Sequence, residues 1–546
     1  MCGIFGYFSK NLDKSDLLIQ ENFNKIKHRG PDYSTFVNLK NGLKFGFHRL
    51  AIVDTSQEAN QPFYYSDNVS ICNGEIFNHS ILEKKYNFEM KTHSDCEVLL
   101  HMFNKFGIDR LVNELDAEFA FVIYDKKNNM LYVGRDPYGV RPLFIGTSSN
   151  TIAFCSEAKG LTDFEDLTVE PFLPGHYMQV CLDTLEFKYT NYFNISNIGT
   201  IERLDGNRDY ILNLINNSFT EAVVKRLMAD KSIGCLLSGG LDSSLVTSIV
   251  SRNIKDIQCF SIGLENSVDV IAAKKVSKYL GIPVENHHIV TFTVEEGLQA
   301  LESVIYHLES YDITTIRAST PQYLLAKYIK TNTDVKVLFS GEGADELFAG
   351  YQYSKDAPNA QELHLDTIKL LKELYMYDNL RTDRTISGWG LEVRVPFLDK
   401  EFTKFVLSLD PNLRKPSKDI MEKMLLRDSF KNYLPDEILY RPKEAFSDAV
   451  SSKEISWYKT LCKHIDGIIT DDELKDASNK YPFNTPQTKE ALYYRNIFAK
   501  LYPNRDKLID HYWMPMWQGD IKDPSATVLA CHKGDLDNYE KSKISS

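Results

Sequence analysis

Apolar positions in the first third of the chain fall in short runs separated by turn residues, and such runs predict strands. Segments 3–9, 70–73, 119–124, 131–134 and 151–155 have strand length, and Asn41-Gly42 between two further runs predicts a hairpin. Helical spacing occurs in only two places. One segment opens near Asp13. The other spans 95–106, with Val98, Leu99, Met102, Phe103 and Phe106 on one face and Gly107 as a stop. Many strands with few helices predict an α+β layered unit.

From about residue 232 the pattern changes. A continuous apolar run at 233–237 meets a Gly-Gly turn, then a helical face of Leu241, Leu245, Val246, Ile249 and Val250. The strand–turn–helix order repeats with 257–263 and a helix over 271–280 closed by Gly281. It repeats again with 284–290 and a helix opened by the capping box Thr293…Glu296, then with a helix over 321–330 and a strand over 335–339. Alternation of this kind predicts a doubly wound parallel sheet, whose ligand crevice lies beyond the carboxyl ends of its strands. The expected domains are therefore residues 2–192, a polar linker at 193–209, a second domain at 210–519 with a helical C-terminal part, and a polar tail at 520–546.

Composition narrows the function classes. The 546 residues carry a formal net charge of −12, so bulk attraction to nucleic acid or an anionic membrane surface is excluded, and any phosphate must be gripped locally. No apolar run approaches the roughly 18 residues of a membrane span. The N-terminus has no basic residue ahead of its short apolar stretch, which predicts a cytoplasmic protein. Nine cysteines without a C-x-x-C pair argue against a disulfide framework or a zinc knuckle.

Ser238-Gly239-Gly240-Leu241-Asp242-Ser243-Ser244 lies between a buried strand and an amphipathic helix. Its glycines permit close backbone approach, and its hydroxyls, free N–H groups and helix start form an anion trap without net positive charge. Neither G-x-x-x-x-G-K-[ST] nor G-x-G-x-x-G occurs. At another strand end, Ser340-Gly341-Glu342-Gly343-Ala344-Asp345-Glu346 brings carboxylates to the same sheet edge. Beside a polyphosphate they make chemical sense only with Mg²⁺.

Cys2 follows the initiator methionine. If Met1 is removed, one residue supplies a thiol nucleophile and an α-amine whose ordinary pKa, about 7.7–8.0, suits it to take the thiol proton.

Two resemblances follow from these residues. The run 238–244 resembles the signature loop of ATP pyrophosphatase synthetases, which cleave ATP to AMP and pyrophosphate. Lys27–Asp32, His48–Asp54, Asn73–Asn78, Ser94–Glu97 and Arg135–Gly139 together resemble the glutaminase domain of N-terminal-nucleophile amidotransferases, an αββα sandwich. That resemblance implies that Arg49 grips the glutamine carboxylate, that Glu75 and Asp95 hold its ammonium, and that Asn73 with the Gly74 N–H forms an oxyanion hole. Leu50 and Val53 complete the pocket, while His48 and Arg135 are structural.

In this order and at this length the two halves resemble the glutamine-hydrolysing asparagine synthetase family, as do segments 309–321, 388–399 and 441–448. The family resemblance implies aspartate, glutamine and MgATP as substrates, with a β-aspartyl-AMP intermediate and a homodimer. It places Leu237, Ser238, Gly239, Gly240, Asp242, Ser243, Ser261, Ile262, Ser340 and Gly341 around ATP, Asp242 and Asp345 at Mg²⁺, Lys443 at phosphate and Glu342 near the ammonia attack. The alternative is a relative that adenylates a different carboxylate. Arg394 and Asp399 are expected to form a packed ion pair, and Ala449 and Ser451 stand where the family is expected to show glycine.

Overall fold

Two six-stranded antiparallel sheets and one five-stranded parallel sheet organise the chain in a computed structural model, which describes residues 1–11, 14–199, 208–443, 450–451 and 456–525. The first sheet runs Thr168–Pro171, Phe144–Thr147, Thr151–Cys155, Gly3–Ser9, Leu43–Arg49, Tyr33–Lys40. The second runs Phe187–Asn191, His176–Cys181, Met130–Arg135, Ala117–Asp125, Asn68–Ile76, Phe63–Tyr65. Ile4, Phe45 and Phe47 of one sheet pack against Ile71, Val122 and Val133 of the other, which is the burial that alternating apolar positions call for. Helix Asp16–Asn24 covers the outer face of the first sheet and helix Val98–Glu114 that of the second, completing an αββα sandwich. Gly107 does break its helix, with φ 77° and ψ −179°, but the chain resumes a helical turn because Ile108, Leu111 and Val112 still have core to bury. Asp13, where the first helix was expected to open, lies outside the described residues.

The parallel sheet has the order His287–Thr291, Gln258–Gly263, Ile233–Leu236, Val337–Phe339, Glu392–Arg394. Its central strand is flanked by a later strand on each side, so connections diverge there, and the turns 237–243 and 340–346 leave the sheet at that switch point. Helices Leu241–Asn253 and Val268–Tyr279 follow the first two strands, and Thr293 and Glu296 form the expected capping box.

Some expected elements shift. The helix expected from Pro321 spans Ile313–Asn332, because the Asp312 side chain caps it by accepting from the Thr315 amide at 3.0 Å. Pro321 cannot donate to the Arg317 carbonyl, and the Trp457 indole N–H does so instead at 3.3 Å. The strand expected over 284–290 begins at His287, after a 3₁₀ turn at Val284–Asn286. Helix Arg208–Lys225 already starts inside the expected linker, of which residues 200–207 lie outside the described residues, as do 526–546 of the tail.

The two folds share one core. Leu50, Ile52, Tyr138 and Val140 of the sandwich pack in a single cluster with Leu237, Phe339 and Val395 of the parallel-sheet half.

Candidate active sites

The start of the first strand places Cys2 against the Leu50 carbonyl, with Sγ 3.7 Å from that oxygen. Burial pushes its thiol up to about 11, against the opposing pull of the chain's α-amine. That amine, on Met1, is buried 3.3 Å from Glu392 Oε2, and burial lowers its pKa. Asn73 and Gly74 lie on the inner strand Asn68–Ile76. Asn73 is fully buried, and neither its Nδ2 nor its Oδ1 has a hydrogen-bond partner among the described residues. A Cβ on Gly74 would come within 2.5 Å of the Glu118 carbonyl, so only glycine lets strand Ala117–Asp125 approach. Glu75 and Asp95 are buried near one another: Asp95 accepts from the Ile76 amide at 2.7 Å, and Glu75 Oε2 from Arg394 Nη2 at 3.1 Å. Burial, then Glu392 and Asp95, push the Glu75 carboxyl well above the usual range, and Arg394 and Arg141 offset this only in part.

The Arg49 guanidinium donates to the Ser56 carbonyl and Asn60 Oδ1, both at 2.7 Å, and to the Asp54 carbonyl, which fixes the loop beyond its strand. Leu50 is buried beside Cys2, and Val53 is half-buried against the shared core. His48 and Arg135 have structural partners: the His48 ring bonds Ser34 and the Phe23 carbonyl, and Arg135 donates to three backbone carbonyls.

At the carboxyl edge of the parallel sheet lies a cleft of about 240 Å³. All the residues expected around the nucleotide line it except Gly239, and Glu342, Asp345 and Lys443 line it too. Gly239 shapes the turn instead: its φ is 80°, and a Cβ would meet the Ala273 amide at 2.4 Å. Ser238 and Ser243 bond through their hydroxyls at 3.0 Å, drawing the turn closed. Ser261 is pinned by the Leu237 carbonyl and His287. Gly341 packs on the backbone of Asp242 and Ser243, so the two turns touch.

Four charges dominate the floor of the cleft. Lys423 Nζ is 2.7 Å from Asp242 Oδ1 and 2.7 Å from Asp345 Oδ1, and Lys443 Nζ is 2.7 Å from Asp345 Oδ2. Burial alone would raise Asp345, but the two lysines outweigh it and hold the carboxyl well below the usual range. Two carboxylates from different strand ends thus converge on one cation position, a donor set that fits Mg²⁺. Among the described residues no group of three or more His, Cys, Asp or Glu side chains could hold a metal. Glu342 is held by Arg381 at 2.9 Å and Thr382 at 3.0 Å.

Sequence reasoning missed Lys423 and Arg381. Lys423 has φ 57° ahead of a six-residue helix, and no local pattern marks it. The expected Arg394–Asp399 pair does not form. Arg394 pairs with Glu75 and Glu392, and Asp399 with Arg226 and Lys225, because helix Arg208–Lys225 and the sandwich both reach that strand end. Residues 444–449, including Ala449 and most of the expected phosphate-loop segment, lie outside the described residues.

Comparison with known proteins gives the class first. A glutamine amidotransferase domain family matches residues 1–199, and an asparagine synthase family matches residues 214–366 and 354–530, so the chain joins a glutamine amidotransferase to an ATP-using ligase. A protein of Acanthamoeba polyphaga mimivirus named "Probable asparagine synthetase (glutamine-hydrolyzing)" is 49% identical over 553 residues, covering 97% of this chain and 100% of that protein. The asparagine synthetases (glutamine-hydrolyzing) of Rattus norvegicus and Homo sapiens are 44% and 43% identical over 571 residues, covering 98% of this chain and 99% of each. The chain belongs to the glutamine-hydrolysing asparagine synthetase family. No helix among its described residues is long and apolar enough to cross a membrane.

Proposed function

We propose that the protein converts ATP, L-aspartate, L-glutamine and water to AMP, diphosphate, L-asparagine and L-glutamate through β-aspartyl-AMP. The observation that carries this reading is the pairing of two sites on two folds with one continuous core between them: Cys2 with Asn73 and Glu75 on the sandwich, and the Ser238–Ser243 and Ser340–Asp345 turns on the parallel sheet. The names of the full-length relatives favour aspartate over another carboxylate as the acid.

In the glutaminase half, removal of Met1 leaves Cys2 with its own α-amine. That amine takes the thiol proton as sulfur attacks the amide carbon, and returns it to the departing ammonia. Asn73 Nδ2 and the Gly74 N–H receive the oxyanion, Arg49 the α-carboxylate, and Glu75 with Asp95 the α-ammonium, with Leu50 and Val53 as pocket walls. Water then releases glutamate from the thioester. In the synthetase half the turns 238–243 and 340–341, with Leu237, Ser261 and Ile262, surround ATP, and Lys443 follows the charge that shifts onto the leaving diphosphate. Asp242 and Asp345 would hold Mg²⁺, which supplies charge neutralisation between the phosphates. Ammonia must stay unprotonated to attack, and the apolar packing of Leu50, Ile52 and Tyr138 against Leu237 and Phe339 supports its exclusion from water.

We place the functional domains at 2–192 and 210–519, the protein in the cytoplasm, and its assembly as a homodimer. Product analysis by mass with amide-labelled glutamine, aspartate and MgATP tests acceptor, donor and nucleotide cleavage together: labelled asparagine and AMP are expected, and unlabelled product or ADP overturns the reading. Cys2→Ala should abolish glutamine-dependent but spare ammonia-dependent synthesis, and loss of both refutes the two-site assignment.

A further inference from the structure

The edge strand Glu392–Arg394 belongs to the synthetase sheet, yet Glu392 and Arg394 reach the glutaminase half, Glu392 Oε2 lying 3.3 Å from the Met1 amine and Arg394 Nη2 3.1 Å from Glu75. Arg394 is fully buried and every edge of its guanidinium is engaged: Nε donates to Glu392 Oε1 at 2.9 Å, Nη1 to the Met228 carbonyl at 2.6 Å and to that of Arg226, and Nη2 to Glu75 Oε2 at 3.1 Å. Its backbone is pinned too, since its carbonyl accepts from the Ser340 amide at 3.0 Å where the acidic turn of the nucleotide cleft begins. A rigid fork held at this many points has little freedom to reorient.

We propose that Arg394 is a positioning residue for glutamine, supplied by the synthetase half: it fixes the Glu75 carboxyl in the orientation that meets the substrate ammonium. The inference rests on the proposed glutaminase role of Glu75. Two acidic groups crowd Glu75, Asp95 from the 3₁₀ turn after Ser94 and Glu392 from the edge strand; besides Arg394, Arg141 is the cation that opposes them, and the Cys2 thiol and the chain's α-amine lie in the same charge cluster. Without Arg394 the carboxyl loses the bond that fixes Oε2, and a carboxyl free to turn meets an ammonium less well. Arg394 occupies one oxygen, Oε2, which also fixes the plane in which the other is presented.

The test is steady-state glutamine hydrolysis by the full chain between pH 6.5 and 8.5, comparing the parent with Arg394→Met and Arg394→Lys. In Arg394→Met the KM for glutamine should rise about tenfold or more while kcat changes less than about threefold, because a loosely held Glu75 weakens binding without touching the reacting atoms. Arg394→Lys restores one donor without the fork, so it should recover part of the KM; it also serves if the methionine variant does not fold. An unmoved KM, a parallel loss in kcat, or a lysine variant no better than methionine overturns the assignment. A parent chain that hydrolyses no glutamine overturns the proposed function itself, which distinguishes the two failures.

Discussion

Lys423 Nζ lies 2.7 Å from Asp242 Oδ1, an ion pair that joins chain positions 181 residues apart across the floor of the cleft at the carboxyl edge of the parallel sheet. The same ammonium reaches Asp345, so one lysine bridges both carboxylates proposed to hold Mg²⁺. Its side chain is 1% exposed, and removing one partner from a buried pair costs about 3–5 kcal/mol because the remaining charges stay uncompensated. Lys423→Met should therefore destabilise the protein by roughly that amount in the presence of a chelator, and Mg²⁺ should restore part of the loss by taking the lysine's place between the carboxylates. Denaturation curves with EDTA and with Mg²⁺ measure this; a loss that Mg²⁺ does not reduce argues against a shared cation position.

Asn73 makes a sharper prediction about the other site. An amide with neither polar atom bonded to the protein is costly in a buried strand, and a transition-state oxyanion is the partner that would repay it. Asn73→Ala should lower kcat for glutamine hydrolysis by about 10²–10³-fold, in the range of a lost oxyanion donor. Ammonia-dependent synthesis should persist. Equal loss in both assays would assign Asn73 to the fold rather than to the reaction.

The contact between the two turns predicts a separate effect on the nucleotide. A Cβ on Gly341 would lie 2.7 Å from the Ser243 amide nitrogen and 2.8 Å from the Asp242 carbonyl carbon, and backbone atoms cannot swing aside as a side-chain tip can. Gly341→Ala must part the turns, so the KM for ATP in pyrophosphate release should rise about tenfold or more while glutamine hydrolysis continues. An unchanged ATP KM would mean that the spacing of the turns does not matter to binding.

Local pattern carried the fold a long way. Short apolar runs and one Asn-Gly turn mark seven of the sandwich strands but not Phe63–Tyr65, Phe144–Thr147, Thr168–Pro171, His176–Cys181 or Phe187–Asn191, and the Gly-Gly turn after a buried run marks a turn that lines the cleft, because these signals depend only on neighbours in the chain. What stayed illegible depends on distant partners. Pro321 reads as a helix start, whereas Trp457, 140 residues beyond Arg317, bonds the Arg317 carbonyl that the proline leaves without its helical donor. Lys423 sits in a stretch with no glycine-rich or acidic signature, and its importance arises from two turns that tertiary folding brings to it. Arg394 is expected to pair with Asp399, whereas its partners are its strand neighbour Glu392 and, from the other domain, Glu75.

A buried histidine makes the stability of the sandwich sensitive to mild acid. His48 stacks on Phe23 with ring centroids 3.8 Å apart, donates from Nε2 to the Phe23 carbonyl at 3.1 Å and accepts at Nδ1 from the Ser34 hydroxyl at 2.7 Å. Both nitrogens are thus satisfied in the neutral ring, and burial pushes its pKa down to about 4. Unfolding returns the ring to about 6.5. Between these values the unfolded chain binds a proton that the native protein refuses, so the contribution is fully present above about 6.5 and is lost as pH falls toward 4, by up to about 1.4 kcal/mol per pH unit. Other groups titrate in the same range, so the informative quantity is the difference between the parent and His48→Gln, which cannot protonate. Denaturant unfolding at pH 7.5, 6.5 and 5.5 should show the parent's advantage over His48→Gln narrowing with each step down in pH, and a gap that stays constant would mean that His48 is already protonated in the folded protein or already neutral in the unfolded one.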